Sequence, residues 1–219
     1  DSVVMIEHTE AIDPQTIEVY RSVAPGQHVV AKDEDYQKGA TLLKRGTRIR
    51  PQEVGLLAAF GRLTVTVYKH PVIGIISTGD EVVPVEAVPA TGQIRDINSY
   101  TLAGQVASAG GVAKRYGILK DNYDTLLQTC EQAIQETDMV LISGGSSVGA
   151  RDFTIDVLSA LPESRILTHG ITISPGKPTS LARVGAKAVW GLPGHVVSAM
   201  IVFAAVVRPF VDQIGGCDQ

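Results

Sequence analysis

Leu141–Phe153 reads "LISGGSSVGARDF" and directly follows the apolar pair Met139-Val140. A continuous apolar run of strand length that opens into Gly and Ser fits a fully covered strand feeding a loop. The apolar spacing after Asp152 predicts a helix over Phe153–Leu161. Glycines let backbone N–H groups approach an anion, and the following helix adds its positive end. Ser143, Gly144, Gly145, Ser146, Ser147 and Gly149 are therefore candidate phosphate contacts. The loop is not a Walker A motif, because no Gly-Lys-Ser/Thr ending follows. The same composition also suits a plain flexible connection, so the loop alone does not decide the chemistry.

Outward from this stretch the chain alternates strand and helix. Val72–Ser77 is a second continuous apolar strand, and Val112–Leu119 and Asp138–Ser143 are strand-like. Asn98 is placed to cap a helix whose Leu102, Val106 and Ala109 share a face. Asn122 or Asp121 caps the next, where Leu126, Cys130, Ala133 and Ile134 align. Ile171–Ile173, Ser180–Val184 and Ala188–Trp190 read as further strands, followed by a long apolar helix from Gly194 to about Val211. The pattern predicts an α/β fold with a mostly parallel, helix-covered sheet across residues 71–219. Residues 1–70 read as part of a β-rich domain, with strands at Val3–Ile6, Ile17–Tyr20, Thr41–Leu43 and Leu63–Tyr68. Pro51 and Gly61 bracket one helix there. "DSVVMIEHTE" reads as a strand already under way, which suggests a chain beginning inside a domain.

The 219 residues carry a net charge of -4, so no basic footprint points to nucleic acid. With 44% hydrophobic and 19% charged residues the composition is that of a globular protein. No apolar run approaches the roughly 20 residues a membrane span needs; residues 194–211 come closest but are interrupted by His195, Ser198 and Arg208. The two distant cysteines, Cys130 and Cys217, suggest neither a disulfide nor a metal site, and a reducing, cytoplasmic setting is expected.

Ligands of open α/β sheets sit beyond the carboxyl ends of the strands. The loops expected there are Thr78-Gly79-Asp80-Glu81, Ser143–Asp152, Ser174-Pro175-Gly176-Lys177-Pro178 and Gly191-Leu192-Pro193-Gly194-His195. Asp80, Glu81, Asp96, Asp121 and Asp152 all fall at strand or loop ends. Carboxylates bind Mg²⁺, and Mg²⁺ bridges phosphates. Each acid also has a structural reading, as a turn residue, cap or solvated charge. Lys177 suits a phosphate contact or a solvated lysine equally.

The stretches "GIISTGDEVV", "GQIRDINSYTL", "DMVLISGGSSVGARDF", "SPGKPTSLA" and "GLPGHVVSAM" resemble, in order and spacing, the MoeA family of molybdopterin molybdotransferases, to which the gephyrin E domain is related. The resemblance extends over nearly the whole chain. It implies a MogA-like three-layer pterin-binding domain, here 71–219. It also implies insertion of molybdate into adenylylated molybdopterin with Mg²⁺ and release of AMP. By motif match, Asp35, Glu81, Asp121 and Asp152 correspond to active-site acids, with Asp80, Glu81 and Asp152 as metal-ligand candidates. Thr78, Gly79, Asp96, Asn98, Pro175, Gly176, Lys177, Pro178, Gly194, His195 and Ser198 join the Gly-Ser loop as substrate contacts. Pro193 falls where the family shapes its molybdate pocket. A homodimer with a shared active site and a MogA-type adenylyltransferase as upstream partner are also implied.

Three departures from the family pattern stand out. The N-terminal "DGYA" and "TGA" motifs and the C-terminal β-barrel are not found in this sequence, which reads as a fragment. The usual "LPGNPVSA" is "LPGHVVSA", with His195 and Val196 at the Asn and second Pro positions. Imidazole adds a group that titrates near neutrality, and valine releases the fixed φ of proline. These changes would alter oxyanion preference, for instance toward tungstate, or else His195 simply caps the last helix. Two alternatives to the transferase are a non-catalytic pterin-binding or scaffold module and a MogA-type adenylyltransferase. The clustered acids favour an enzyme, and residues 1–70 favour the MoeA arrangement.

Overall fold

The computed structural model describes residues 1–144 and 153–217. The described residues form ten strands: β1 Thr9–Asp13, β2 Thr16–Val19, β3 Val72–Thr78, β4 Val82–Val83, β5 Ile94–Arg95, β6 Val112–Leu119, β7 Met139–Ser143, β8 Ser164–His169, β9 Ser180–Val184 and β10 Lys187–Leu192. The helices are α1 Pro51–Ala59, α2 Asn98–Ser108, α3 Tyr123–Glu136, α4 Phe153–Ala160, α5 Val196–Val202 and α6 Arg208–Ile214, with a π-helical segment at Phe203–Val207 joining the last two.

The main sheet runs β6-β3-β7-β10-β9-β8. β6, β3, β7 and β10 are mutually parallel, while β9 is antiparallel to both of its neighbours. Period-2 alternation sorts the strand side chains onto two faces. Ile73, Ile75, Met139, Leu141, Trp190 and Leu192 pack on one side against α2 and the C-terminal helices, through Leu102, Val106, Val202, Phe203 and Val207. Ile76, Val140, Ile142, Ala182 and Val189 pack on the other against α3 and α4, through Leu126, Cys130, Ala133, Val157 and Leu158. The result is the expected three-layer α/β/α domain. Each fully buried aliphatic side chain contributes about 1.5–3 kcal/mol.

Local signals account for the helix boundaries. Asn122 accepts from Thr125 N at 2.9 Å and caps α3. Pro51 begins α1, and the Glu53 carboxylate reaches back to Arg50 N at 2.8 Å and to its guanidinium at 2.7 Å. These charge-assisted bonds hold the Glu53 carboxyl down at about 2. The π-helical segment ends just before Pro209, which lacks the N–H needed for a regular turn.

Several sequence expectations need correction. Of the strands read in residues 1–70, only Ile17–Tyr20 appears, shifted by one residue as β2; Val3–Ile6, Thr41–Leu43 and Leu63–Tyr68 are not strands. Their apolar residues have no sheet face to cover: Leu63 is 97% exposed and Val67 63%. Ile171–Ile173 is not a strand either, and the strand before that loop is β8. β8 was missed because it is an edge strand carrying Arg165, Thr168 and His169, with few apolar residues to mark it. The last helix begins at Val196 and continues to Ile214.

Among the described residues, Val196–Ile214 is the one helix long and apolar enough to cross a membrane, by length and composition, with a mean hydropathy of 1.6. This overturns the expectation that no run approaches a span. One face lies in the core through Val202, Phe203, Val207 and Val211. The other leaves Val197, Met200 and Ile201 exposed.

Candidate functional site at the carboxyl edge of the sheet

The order of the strands sets the site. β3 returns through α2 to β6 on one side, whereas the chain leaving β7 ends up in β10 on the other. The switch point therefore lies between β3 and β7, where open α/β sheets bind ligands. The register lines up the strand ends: Leu119 beside Thr78, Ser77 beside Ser143, and Ser143 beside Leu192. β8 runs parallel to β10, so its end at His169 faces the same way, and the 170–179 loop joins the same edge. The described parts of the four loops expected to converge share one edge.

Asn98 ties this edge together. Its side-chain N–H groups donate to Ser143 Oγ at 2.6 Å and to the Gly194 carbonyl at 2.7 Å. The helix-cap role expected for it falls elsewhere. Ile97 occupies the cap position of α2, and the buried carboxylate of Asp96 accepts from Ser99 N at 3.1 Å and Ser77 Oγ at 3.0 Å. Asx side chains bond the backbone a few residues on, and here the better-placed acid does so.

Gly144 is where backbone approaches backbone. It has φ of 117°, and a Cβ there would lie 2.1 Å from Thr78 O. Only glycine fits both constraints. Thr78 is buried and its Oγ1 has no hydrogen-bond partner among the described residues, and Asn98 Oδ1 is likewise buried without one among them. Two orphan polar atoms at a sheet switch point suit a ligand or water.

Asp80, Glu81 and Asp121 come together on the same edge. Asp121 N donates to Asp80 Oδ1 at 3.3 Å. Desolvation and then the Asp80 and Glu81 charges raise the Asp121 carboxyl above the usual range. Lys120, unremarked in the sequence, donates to Asp80 O at 2.7 Å and braces the acid loop. Its position directly before Asp121 was the available signal. Among the described residues no three His, Cys, Asp or Glu side chains close around a point as a metal cage.

The remaining candidates are spread more widely. Pro175, Gly176, Lys177 and Pro178 form the tip of the 170–179 loop. A Cβ on Gly176 would come 2.5 Å from Val202 Cγ2, so the loop is pressed onto α5. The Lys177 carbonyl accepts from Ile171 N and Thr179 N, both at 2.9 Å, and its side chain is exposed. Pro193 is buried and Ser198 half-buried on α5. His195 holds the cap position of α5, but its side chain makes no cap bond, which removes the capping explanation for this residue. Asp35 sits in an exposed bend of the N-terminal part. Gly145, Ser146, Ser147, Gly149 and Asp152 lie outside the described residues.

Residues 74–213 match the family described as "Probable molybdopterin binding domain", and residues 1–61 match "MoeA N-terminal region (domain I and II)". The molybdopterin molybdenumtransferase of Nostoc sp. is 35% identical over 219 residues, covering 99% of this chain and 50% of that protein. The enzyme of the same name from Bacillus subtilis is 32% identical over 214 residues, covering 96% and 50%. The crystal structure of the molybdopterin biosynthesis MoeA protein from Pyrococcus horikosii superposes with a TM-score of 0.77 at 35% identity, over 100% of this chain and 54% of that one. The chain thus spans about half the length of the curated relatives it matches. It belongs to the molybdopterin-binding-domain family in the MoeA arrangement, in which that domain follows a MoeA N-terminal region.

Proposed function

We propose that this chain takes part in molybdenum cofactor biosynthesis as a molybdopterin molybdotransferase, inserting molybdate into adenylylated molybdopterin and releasing AMP. The observation that carries this reading is the convergence of Thr78, Ser143, Gly144 and the Asp80–Glu81–Asp121 acids on one switch-point edge. In this reading residues 1–70 belong to the N-terminal region, and 71–219 form the pterin-binding domain.

The Gly-Ser loop that follows β7 is proposed to receive phosphate oxygens of the substrate. The Thr78 hydroxyl, without a partner among the described residues, donates to the same group. Lys177, exposed at the loop tip, supplies a positive charge. The donor set fits Mg²⁺, which prefers hard oxygen ligands and takes few carboxylates along with water and substrate phosphates. Asp80, Glu81 and Asp152 would hold it, and when bound it would neutralise charge on the phosphoanhydride. Asp121 stands beside the two acids that need such a cation, and Lys120 keeps their loop in place. Pro193, buried at the end of β10, gives the oxyanion pocket a rigid wall. Catalysis here is positioning and electrostatics rather than covalent chemistry.

Within the same reading Asp35 serves a partner's site across a homodimer, the adenylylated substrate comes from a MogA-type adenylyltransferase, and the setting is cytoplasmic. His195 and Val196 at the pocket mouth are proposed to tune molybdate against tungstate. The test is AMP release from adenylylated molybdopterin on adding molybdate and Mg²⁺. Molybdate-dependent release that Glu81→Gln abolishes supports the transferase. Tight binding without release, in the full-length protein, points to a non-catalytic module.

A further inference from the structure

At the opposite end of the sheet, a cavity of about 1240 Å³ lies between the 40–70 stretch and the amino end of β3, the turn before β6 and the end of α6. Lys44, Arg45, Arg48, Arg62, Lys69 and His70 line it, and Asp212 is the one acid among its described lining residues. The whole chain carries 19 Lys and Arg against 23 Asp and Glu, so this gathering of cations runs against the overall charge. None of these Lys and Arg side chains forms an ion pair among the described residues, and Asp212 is engaged by Arg208 Nε at 3.6 Å. Like charges collected in a cleft repel one another and focus a positive potential there until an anion enters. The walls are fixed on both sides. Thr47 N donates to the Lys44 carbonyl at 3.2 Å and closes the turn that carries Lys44 and Arg45. Arg45 Nε donates to the Tyr68 hydroxyl at 2.5 Å, and a Cβ on Gly216 would come within 2.3 Å of the Tyr68 ring. His70 Nδ1 donates to the Gly110 carbonyl at 2.6 Å. The last two contacts join the N-terminal part to the α/β domain.

We propose that this cavity is a second anion site, which takes a linear polyphosphate of three or more phosphates, either free or as the tail of a nucleoside triphosphate. The cations come from three stretches of the chain, the 44–48 segment, Arg62 after α1 and the 69–70 pair before β3. A single tetrahedral oxyanion reaches one such group; a chain of phosphates reaches all three. The volume agrees, since pockets of roughly 300–1,000 Å³ already hold drug-sized ligands. Guanidinium forks match phosphate oxygens in pairs, and the two lysines add point charges. Leu43, Leu57 and Val211 give the same cavity an apolar part, which leaves room for the nucleoside of a triphosphate. The site is distinct from the carboxyl edge. β3 runs from Val72 beside the cavity to Thr78 at the switch point, a span of about 20 Å for a strand of that length. The proposal therefore stands apart from the transferase reading and survives or fails without it.

The probes are sodium tripolyphosphate, orthophosphate, ATP and AMP, each titrated calorimetrically into the chain in metal-free buffer at low and at high salt. Tripolyphosphate should bind about a hundredfold more tightly than orthophosphate, because two further phosphates add two charge-assisted contacts of roughly tenfold each. High salt should weaken it, since exposed charges are screened. The double variant Arg48→Glu/Arg62→Glu should lower tripolyphosphate affinity by about a hundredfold or more. Arg183→Glu, at an exposed position on β9 outside the cavity, is the charge control and should leave affinity within about twofold. Should the first pair not fold, Lys44→Gln/Lys69→Gln replaces it, with an expected loss of about tenfold. Tripolyphosphate that binds no more tightly than orthophosphate overturns the site. So does an equal loss in Arg183→Glu and the cavity variants, which would reduce the effect to net charge, and so does undiminished binding in the cavity variants, which would place the anion elsewhere. ATP and tripolyphosphate separate the two sources. Equal affinity assigns the site to the phosphate chain alone, and tighter binding of ATP with weak binding of AMP adds the nucleoside on the apolar lining. AMP binding as tightly as ATP overturns the polyphosphate assignment.

Discussion

The Asn98 side chain donates to Ser143 Oγ at 2.6 Å across 45 residues of sequence. It joins the start of α2 to the end of β7, and through the Gly194 carbonyl to the end of β10. One amide thereby sets the spacing of three loops that frame the switch point. Asn98→Ala removes both bonds and should cost about 1–3 kcal/mol in urea unfolding. It should also weaken binding of adenylylated molybdopterin. Wild-type stability and affinity in this variant would show that the clasp is incidental.

Gly144→Ala should be more damaging than its size suggests. Its Cβ would enter the Thr78 carbonyl, and φ of 117° is unfavourable for alanine. Overpacking of this kind costs about 1–3 kcal/mol, and the loop should lose phosphate affinity along with it. Thermal unfolding with and without ligand separates the two effects. A variant as stable as wild type would mean that the β7 loop shifts away without penalty.

Asp121→Asn addresses the acid cluster. Asp121 is held among like charges, so neutralising it should raise thermal stability slightly in metal-free buffer. The same change should weaken Mg²⁺ binding in the presence of adenylylated molybdopterin, by about tenfold. Equal Mg²⁺ affinity in variant and wild type would place the cation elsewhere.

Glu136 gives a pH signature remote from the site. Its carboxylate accepts from Lys114 Nζ at 2.7 Å and from Tyr116 at 2.6 Å, tying the end of α3 to β6. These bonds, Lys114 first, lower its pKa from 4.5 to about 2. The folded-state value is depressed, so the contribution is full above pH 4.5 and is lost as pH falls toward 2. The stability difference between wild type and Glu136→Gln should therefore shrink across that window. A constant difference from pH 6 to about pH 2 would contradict the linkage.

The sheet was legible because strands covered on both faces must be continuously apolar, as Val72–Ser77 and Asp138–Ser143 are. The order of the loops at the edge followed from that alone. β8 and the irregular stretch around Leu63 were not legible for one shared reason. Edge strands and exposed apolar residues lack the burial that links pattern to structure, so Arg165–Thr168 was not read as a strand and Leu63–Tyr68 was. Asp96 rather than Asn98 bonds the start of α2, because capping depends on which of two neighbouring polar side chains points back along the helix, and spacing does not encode that. The convergence of Asp80, Glu81 and Asp121 was visible in the sequence only as strand-end acids. The part of Lys120 required the fold.

The most direct measurement is calorimetric titration of the chain with adenylylated molybdopterin, with and without Mg²⁺, comparing wild type with Thr78→Val. The carboxyl-edge site requires binding that Mg²⁺ strengthens and that loss of the Thr78 hydroxyl weakens. Binding indifferent to both would place the substrate away from the β3–β7 switch point and contradict the assignment.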